Sequence, residues 1–302
     1  MSKPSIGFIG LGLMGTAMCN RLVDQGYALS VVANRSRTNV EKLVARGACE
    51  VKTARDLAAG SDIVMICVDT SASVEARVYG ENGVLAGVRP GATVIDFGTS
   101  LPGSTKSIAH DMAAVGVTYL DAPLGRTPSH ALEGKLNIMC SGDEAGFHRM
   151  EPVLKDLGEN VFHLGEVGTG HTIKLINNFF AMTTANAMSE AFAMADKAGV
   201  DRQKLYDVMA AGPLRSGMMD FIKAYAIDGN RDMLAFSVRN ARKDVGYYAK
   251  MAEDLEVESV MVAGPRQALG LAISAGRGDT YVTEQADFFS QLFGSKRDES
   301  ST

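Results

Sequence analysis

Gly10, Gly12 and Gly15, with Leu11, Leu13 and Met14 between them, make a G-x-G-x-x-G set directly after the apolar run Ser5 to Ile9. In that pattern the first glycine permits a tight turn, the second lets the backbone approach a pyrophosphate, and the third allows close helix packing. The helix N-terminus then receives the negative charge. Thr16 to Gln25 reads as an amphipathic helix closed by Gly26, and Tyr27 to Ala33 as a second strand. Strand, glycine turn, helix, strand is the context that separates a dinucleotide fingerprint from a glycine turn with no ligand. At the end of the second strand stand Asn34, Arg35 and Ser36, where a site that prefers NAD sets a carboxylate against the ribose diol. These three can donate to a 2′-phosphate, so NADP(H) is expected over NAD(H), with NAD the alternative. The bland reading of Arg35 is a solvated surface charge.

Lys174, Asn177 and Asn178 are the second set, at i, i+3 and i+4, so on a helix they share one face. Around them lie Ile173, Phe179, Phe180 and Met182, and an ammonium and two amides on so apolar a helix need partners, because a buried unpaired polar group costs roughly 1–3 kcal/mol. Such donors suit an oxygen-bearing ligand. They suit equally a helix end that surfaces beside a loop, and the rest of the chain has to decide.

The element that positions this set is legible. From His171 to Ala198 the chain holds neither Pro nor Gly, while Gly168 and Gly170 precede it and Gly199 closes it. One helix of roughly 40 Å, at about 1.5 Å per residue, is predicted, buried on several sides. Upstream, strands at Asp62 to Val68, Thr93 to Phe97 and Val117 to Asp121 alternate with helices near Val40 to Arg46, Ala54 to Ala58, Val74 to Tyr79 and Gly103 to Ala114. Such alternation predicts a doubly wound α/β sheet of Rossmann type. Ligands bind beyond the carboxyl ends of its strands, which makes Val68 and Asp69, Gly98 and Thr99, and the segment Asp121 to Thr127 candidates by position. Leu136 to Cys140 and Val161 to Leu164 read as closing strands around a helix at Glu144 to Leu157, and beyond Gly199 every pattern is helical. Two domains are expected: residues 1–165 for the nucleotide, and an all-α domain over 166–302 that begins with the long helix.

Composition excludes other classes. The net charge of −5 comes without a basic cluster, which argues against a nucleic-acid partner. Cys19, Cys49, Cys67 and Cys140 lack metal-ligand spacing, so they read as small buried hydrophobes of a reducing compartment, with no metal expected. No stretch of about eighteen apolar residues is present, so no membrane span is expected, and the cytoplasm is the expected location.

The motifs together resemble the β-hydroxyacid dehydrogenases, which share the 6-phosphogluconate dehydrogenase-like fold. The resemblance runs from Gly7 to about Leu292 and rests on Gly7 to Gly15, Asp121-Ala-Pro123, Gly168-x-Gly170-x-x-x-Lys174-x-x-Asn177-Asn178 and Lys243-Asp244. It implies that Lys174 is the acid/base, that Asn178 orients the substrate with Asn177 beside it, and that Lys243 lies near the nicotinamide ribose. It implies as substrate a small aldehyde or hydroxy acid, and as assembly a homodimer or homotetramer. Gly125-Arg126-Thr127 is similar to the 3-sulfolactaldehyde reductase branch, in which the Arg grips a sulfonate. Read from its chemistry alone, Arg126 at a strand end is an anion clamp for a carboxylate, sulfonate or phosphate, or else a structural salt bridge. Ala181, where that branch offers a hydroxyl, leaves the substrate anion open.

Overall fold

The structure, a computed structural model, describes residues 3–33 and 37–295. Its contacts divide into two units, Met1–Lys174 and Leu175–Thr302.

The first unit opens β1 (Ile6–Ile9), α1 (Leu13–Asp24), β2 (Leu29–Val32), α2 (Thr38–Ala45), β3 (Cys49–Val51), α3 (Ala54–Ala59), β4 (Ile63–Ile66) and α4 (Ser71–Val78). It continues with β5 (Thr93–Asp96), α5 (Pro102–Ala114) and β6 (Thr118–Asp121). The six strands form one parallel sheet in the order β3-β2-β1-β4-β5-β6, so the order reverses between β1 and β4. In open sheets of this kind ligands bind at such a switch point, beyond the strands' carboxyl ends. All four residues of β1, β4 and β5 are buried, as strands covered on both faces require. Phe8, Met65 and Leu120 pack into one face cluster, and Ile9, Val64 and Val94 into the other. Thr53 caps α3 and Thr70 caps α4 through their side-chain oxygens.

A second sheet follows, of β7 (Leu124–Gly125), β8 (Leu136–Cys140) and β9 (Gly158–His163), with α6 (Pro128–Leu132) and α7 (Glu144–Leu157) between its strands. The closing strands expected from sequence thus belong to a separate sheet, antiparallel between β7 and β8 and parallel between β8 and β9. Three elements escaped the sequence reading: the edge strand β3, the two-residue β7 and the short α6. None is long enough to show a period.

Next comes α8 (Thr169–Ala198), the long helix expected, and the division of contacts falls inside it, after Lys174. Its first turns count with the first unit because Gly170 and His171 are seated on Asp121 and on the Met139 carbonyl. The second unit is helical throughout: the rest of α8, then α9 (Arg202–Ala210), α10 (Gly217–Ala226), α11 (Val238–Asp254), α12 (Ala263–Ser274) and α13 (Gln285–Leu292). Its core gathers Met182, Met188, Phe192, Ile222, Val245 and Leu269. Burial of α8 is one-sided, however. Phe180 is 70% exposed and Met194 55%, which corrects the expectation of burial on several sides. Cys49 is exposed as well, because β3 is a sheet edge, so only some of the four cysteines act as buried hydrophobes.

Candidate active site

The glycine turn has the sterics its spacing requires. Gly10 sits at φ +103°, and a methyl group on it would lie 2.1 Å from the Cys67 carbonyl oxygen at the end of β4. A methyl on Gly15 would lie 1.9 Å from the Gly10 carbonyl oxygen, so α1 packs against the turn itself. Gly12 differs: nothing stands within 4 Å of its would-be methyl. It is the N-cap of α1, it offers no side-chain cap, and the first turn holds no acid. Open space at a helix start with uncapped N–H groups fits a pyrophosphate. Leu11 is fixed by its carbonyl, which accepts from Thr16 Oγ1 (3.0 Å) and Asn39 Nδ2 (2.8 Å), while Leu13 is 68% exposed.

Asn34, Arg35 and Ser36 lie outside the described residues. Past the end of β2, a cavity of about 210 Å³ is lined by Val32, Ala33, Lys52, Thr53 and Arg77 among others, with no acid among the described residues of its wall. On the other strand ends, Val68 and Asp69 follow β4, and Asp69 accepts from Ser73 Oγ at 2.8 Å. Thr99 follows β5, one residue before Ser100, whose hydroxyl donates to Asp96.

Asp121, at the end of β6, is fully buried and accepts three hydrogen bonds: from Ser141 Oγ (2.6 Å) and from the backbone N–H groups of Gly168 (2.7 Å) and His171 (2.8 Å). A carboxylate on the first N–H groups of a helix suits the positive end of its dipole. This bond set places the start of α8, and with it Lys174, beside the carboxyl ends of the sheet. Burial dominates the neighbouring acids: it pushes the thiols of Cys67 and Cys140 up to about 12, helped by Asp96 and Asp121 respectively, and pushes the Tyr119 phenol well up.

Gly125 pairs with Asn137 across β7 and β8, and Thr127 Oγ1 lies 2.7 Å from His130 Nδ1. Between them Arg126 has φ +75°, a conformation costing a side-chain-bearing residue roughly 1–2 kcal/mol. Its Nη1 donates to the Lys135 carbonyl (2.7 Å) and meets Glu159 Oε2 at 2.5 Å. One terminal nitrogen of the guanidinium is thus engaged by a carboxylate and a carbonyl of its own chain.

In the second unit Asn178 is buried and Asn177 exposed. Asn178 Nδ2 donates to Asp244 Oδ2 at 2.7 Å, Asn177 Nδ2 points to Asn178 Oδ1 at 3.3 Å, and Lys243 Nζ lies 2.9 Å from Asp244 Oδ1. Asp244 thus holds the Asn178 amide and the Lys243 ammonium within the second unit. Sequence reasoning gave it no role of its own, nor one to Asp96 or His171. The available signal was an acid ending an apolar strand, Thr93-Val-Ile-Asp96 and Thr118-Tyr-Leu-Asp121.

Residues 5–165 match the family described as the NAD binding domain of 6-phosphogluconate dehydrogenase, and residues 168–288 that described as NAD-binding of NADP-dependent 3-hydroxyisobutyrate dehydrogenase. The chain belongs to the β-hydroxyacid dehydrogenase family. It is 36% identical over 215 residues to the 2-hydroxy-3-oxopropionate reductase of Escherichia coli, covering 71% of this chain and 73% of the relative. It is 29% identical over 274 residues to 3-sulfolactaldehyde reductase from the same organism, covering 91% and 92%. Among solved structures, a 3-hydroxyisobutyrate dehydrogenase from Salmonella typhimurium superposes with a TM-score of 0.82 at 28% identity, covering 95% of this chain and all of the other. The protein is accordingly an NAD(P)-dependent oxidoreductase of the hydroxyacid dehydrogenase class. Among the described residues no helix is long and apolar enough to cross a membrane.

Proposed function

We propose that the enzyme interconverts a small anionic aldehyde of the semialdehyde class and the corresponding hydroxy acid, using NADP(H), with Lys174 as general acid/base. The observation that carries this is the seating of the α8 start on Asp121, which brings Lys174 to the strand ends where this fold binds its ligands. When bound, the nicotinamide would supply or take up the hydride. As charge grows on the carbonyl oxygen, the Lys174 ammonium donates its proton, and in reverse the amine accepts one from the alcohol. Asn178, with one amide hydrogen committed to Asp244, keeps the other for a substrate oxygen. The open backbone from Gly10 to Gly15, with Leu11, Leu13 and Met14, would hold the pyrophosphate; Val68, Asp69, Thr99 and Lys243 would flank the remainder of the cofactor.

The preference for NADP rests on Asn34, Arg35 and Ser36 and is supported by Lys52 and Arg77 in the wall of the cavity past β2. An anionic substrate is supported by the two Escherichia coli relatives, whose names specify 2-hydroxy-3-oxopropionate and 3-sulfolactaldehyde. In this chain Arg126, flanked by Gly125 and Thr127, would grip that anion by exchanging Glu159 for it. The same proposal takes 1–165 as the cofactor domain and 166–302 as the helical domain, a homo-oligomer as the working form, and the reducing cytoplasm as its location.

The test is a set of steady-state rates with NADPH across semialdehydes carrying a carboxylate, a sulfonate or no charge. Preference for a charged aldehyde, lost in Arg126→Ala, is expected. If the uncharged aldehyde is preferred and Arg126→Ala changes nothing, the clamp is wrong. Lys174→Met should lower kcat by at least about 10³-fold with cofactor affinity nearly intact; retained turnover removes Lys174 from its role.

A further inference from the structure

The start of α8 rests on buried charge that the acid/base reading leaves unused. Asp96 and Asp121 end adjacent parallel strands, face each other in the register of β5 and β6, and are both fully buried. Asp96 accepts from the backbone N–H of Gly98 (2.8 Å), the Ser100 hydroxyl (3.0 Å) and the Tyr119 hydroxyl (3.4 Å). With the three donors on Asp121, these six bonds all use the carboxylates as acceptors. Two such groups side by side in a low-dielectric interior repel strongly unless a positive charge stands near them.

His171, fully buried, lies between them. Its Nε2 is 3.8 Å from Asp96 Oδ2, and its Nδ1 is 3.7 Å from Asp121 Oδ2 and 2.7 Å from Thr105 Oγ1. With the Thr105 hydroxyl hydrogen on the Leu101 carbonyl, at 3.1 Å, its oxygen is left to accept and Nδ1 to donate. Nε2 then has no hydrogen-bond partner, and an anionic oxygen faces it. A lone pair there would meet negative charge; a proton there would be held by it. The other ionisable groups turned toward the cluster are Cys67 beyond β4, Tyr119 on β6 and Cys140 on β8, all kept neutral by burial, and Lys106 on α5, which is exposed. None of them brings a buried positive charge.

We infer that His171 is a positioning residue for Lys174: protonated on both ring nitrogens, it is a cationic wedge between Asp96 and Asp121 that fixes the rise and phase of the first turns of α8. This rests on Lys174 as the acid/base, which stands three residues further along the same helix. The seating is close, since a methyl on Gly170 would lie 2.3 Å from the Met139 carbonyl oxygen and 2.9 Å from Asp121 Oδ2. If the wedge is lost, the helix start can slide or turn, and a misplacement of about 1 Å at a reacting group costs on the order of 10²-fold in rate.

The test has two arms. In protein labelled with ¹⁵N-histidine, His171 is the only one of the chain's five histidines that is fully buried, so its ring signals are those that resist solvent exchange. Both of its nitrogens should bear hydrogen at neutral pH; a bare nitrogen at either position overturns the inference, whatever the enzyme's activity. In the kinetic arm, His171→Gln keeps a donor but not the charge. It should lower kcat by about 10²-fold with KM within a few-fold. Adding Asp96→Asn, which removes one negative charge, should recover at least about tenfold of that loss, and a double variant no faster than the single one overturns the wedge. Should His171→Gln fail to fold, the ring-nitrogen signals of the unmodified protein decide. An active Lys174→Met would sink the acid/base reading and leave the ring-nitrogen result standing.

Discussion

Asp244 is the residue whose loss would separate orientation from chemistry. It is nearly fully buried and accepts from Asn178 while pairing with Lys243, so a neutral substitute leaves an amide and an ammonium less well held. A hydrogen bond to a charged group contributes about 1.5–3 kcal/mol, so Asp244→Asn should lower kcat/KM by roughly 10- to 100-fold. Full activity in that variant would show that Asn178 needs no support. The cysteines give a second check on the same scale. Cys49 is exposed, whereas burial raises the thiols of Cys19, Cys67 and Cys140, so a thiol reagent at neutral pH should modify Cys49 first in the native protein, as peptide mass mapping would show. Fast labelling of Cys140 would contradict the burial of β8. Lys174, Asn177 and Asn178 were legible because helical spacing is local. Asp121 was marked only by its place at a strand end, and Asp96 and His171 not at all, since their partners lie far along the chain and only the sheet register brings the two carboxylates together.

At the scale of elements, the glycine turn predicts two opposite phenotypes from one kind of substitution. Gly12 has open space around it, so Gly12→Ala should leave stability unchanged within about 0.5 kcal/mol yet weaken the cofactor, because the added methyl stands where a pyrophosphate must approach. Gly15→Ala forces a methyl into the Gly10 carbonyl and should destabilise by about 1–3 kcal/mol, the usual cost of overpacking. Thermal melts with and without NADPH measure both; equal destabilisation by the two would mean that the turn is only structural. The contrast also marks what sequence patterning reveals. The apolar strands β1, β4 and β5 and the unbroken α8 are long or regular enough to announce themselves. By contrast, β3 has two exposed residues out of three, and β7 has only two residues, so neither carries a pattern. Arg126 shows the same limit: its type and place at a strand end were readable, but Glu159 reaches it from β9, a contact only the folded sheet creates.

At the scale of the whole molecule, α8 presents two faces with different demands. At about 100° per residue, Lys174 and Asn178 lie on the side that continues into Met182, Ala185 and Phe192, all buried in the core of the second unit. Roughly opposite run Ile176, Phe180 and Met194, exposed at 48, 70 and 55%. Large apolar side chains left in water on one side of a helix are a candidate interaction surface. The homo-oligomer expected for this chain would cover it from the side away from Lys174, without blocking the face assigned to chemistry. In a two-fold interface each residue counts twice, and burying one Phe is worth about 1.5–3 kcal/mol. Phe180→Lys should therefore weaken a dimer by roughly 3–6 kcal/mol, on the order of 10²- to 10⁴-fold in Kd, while NADPH binding persists. Light scattering across a dilution series reads this directly: an unmodified protein that is monomeric at every concentration, or a Phe180→Lys variant that associates as tightly, would remove α8 from the interface.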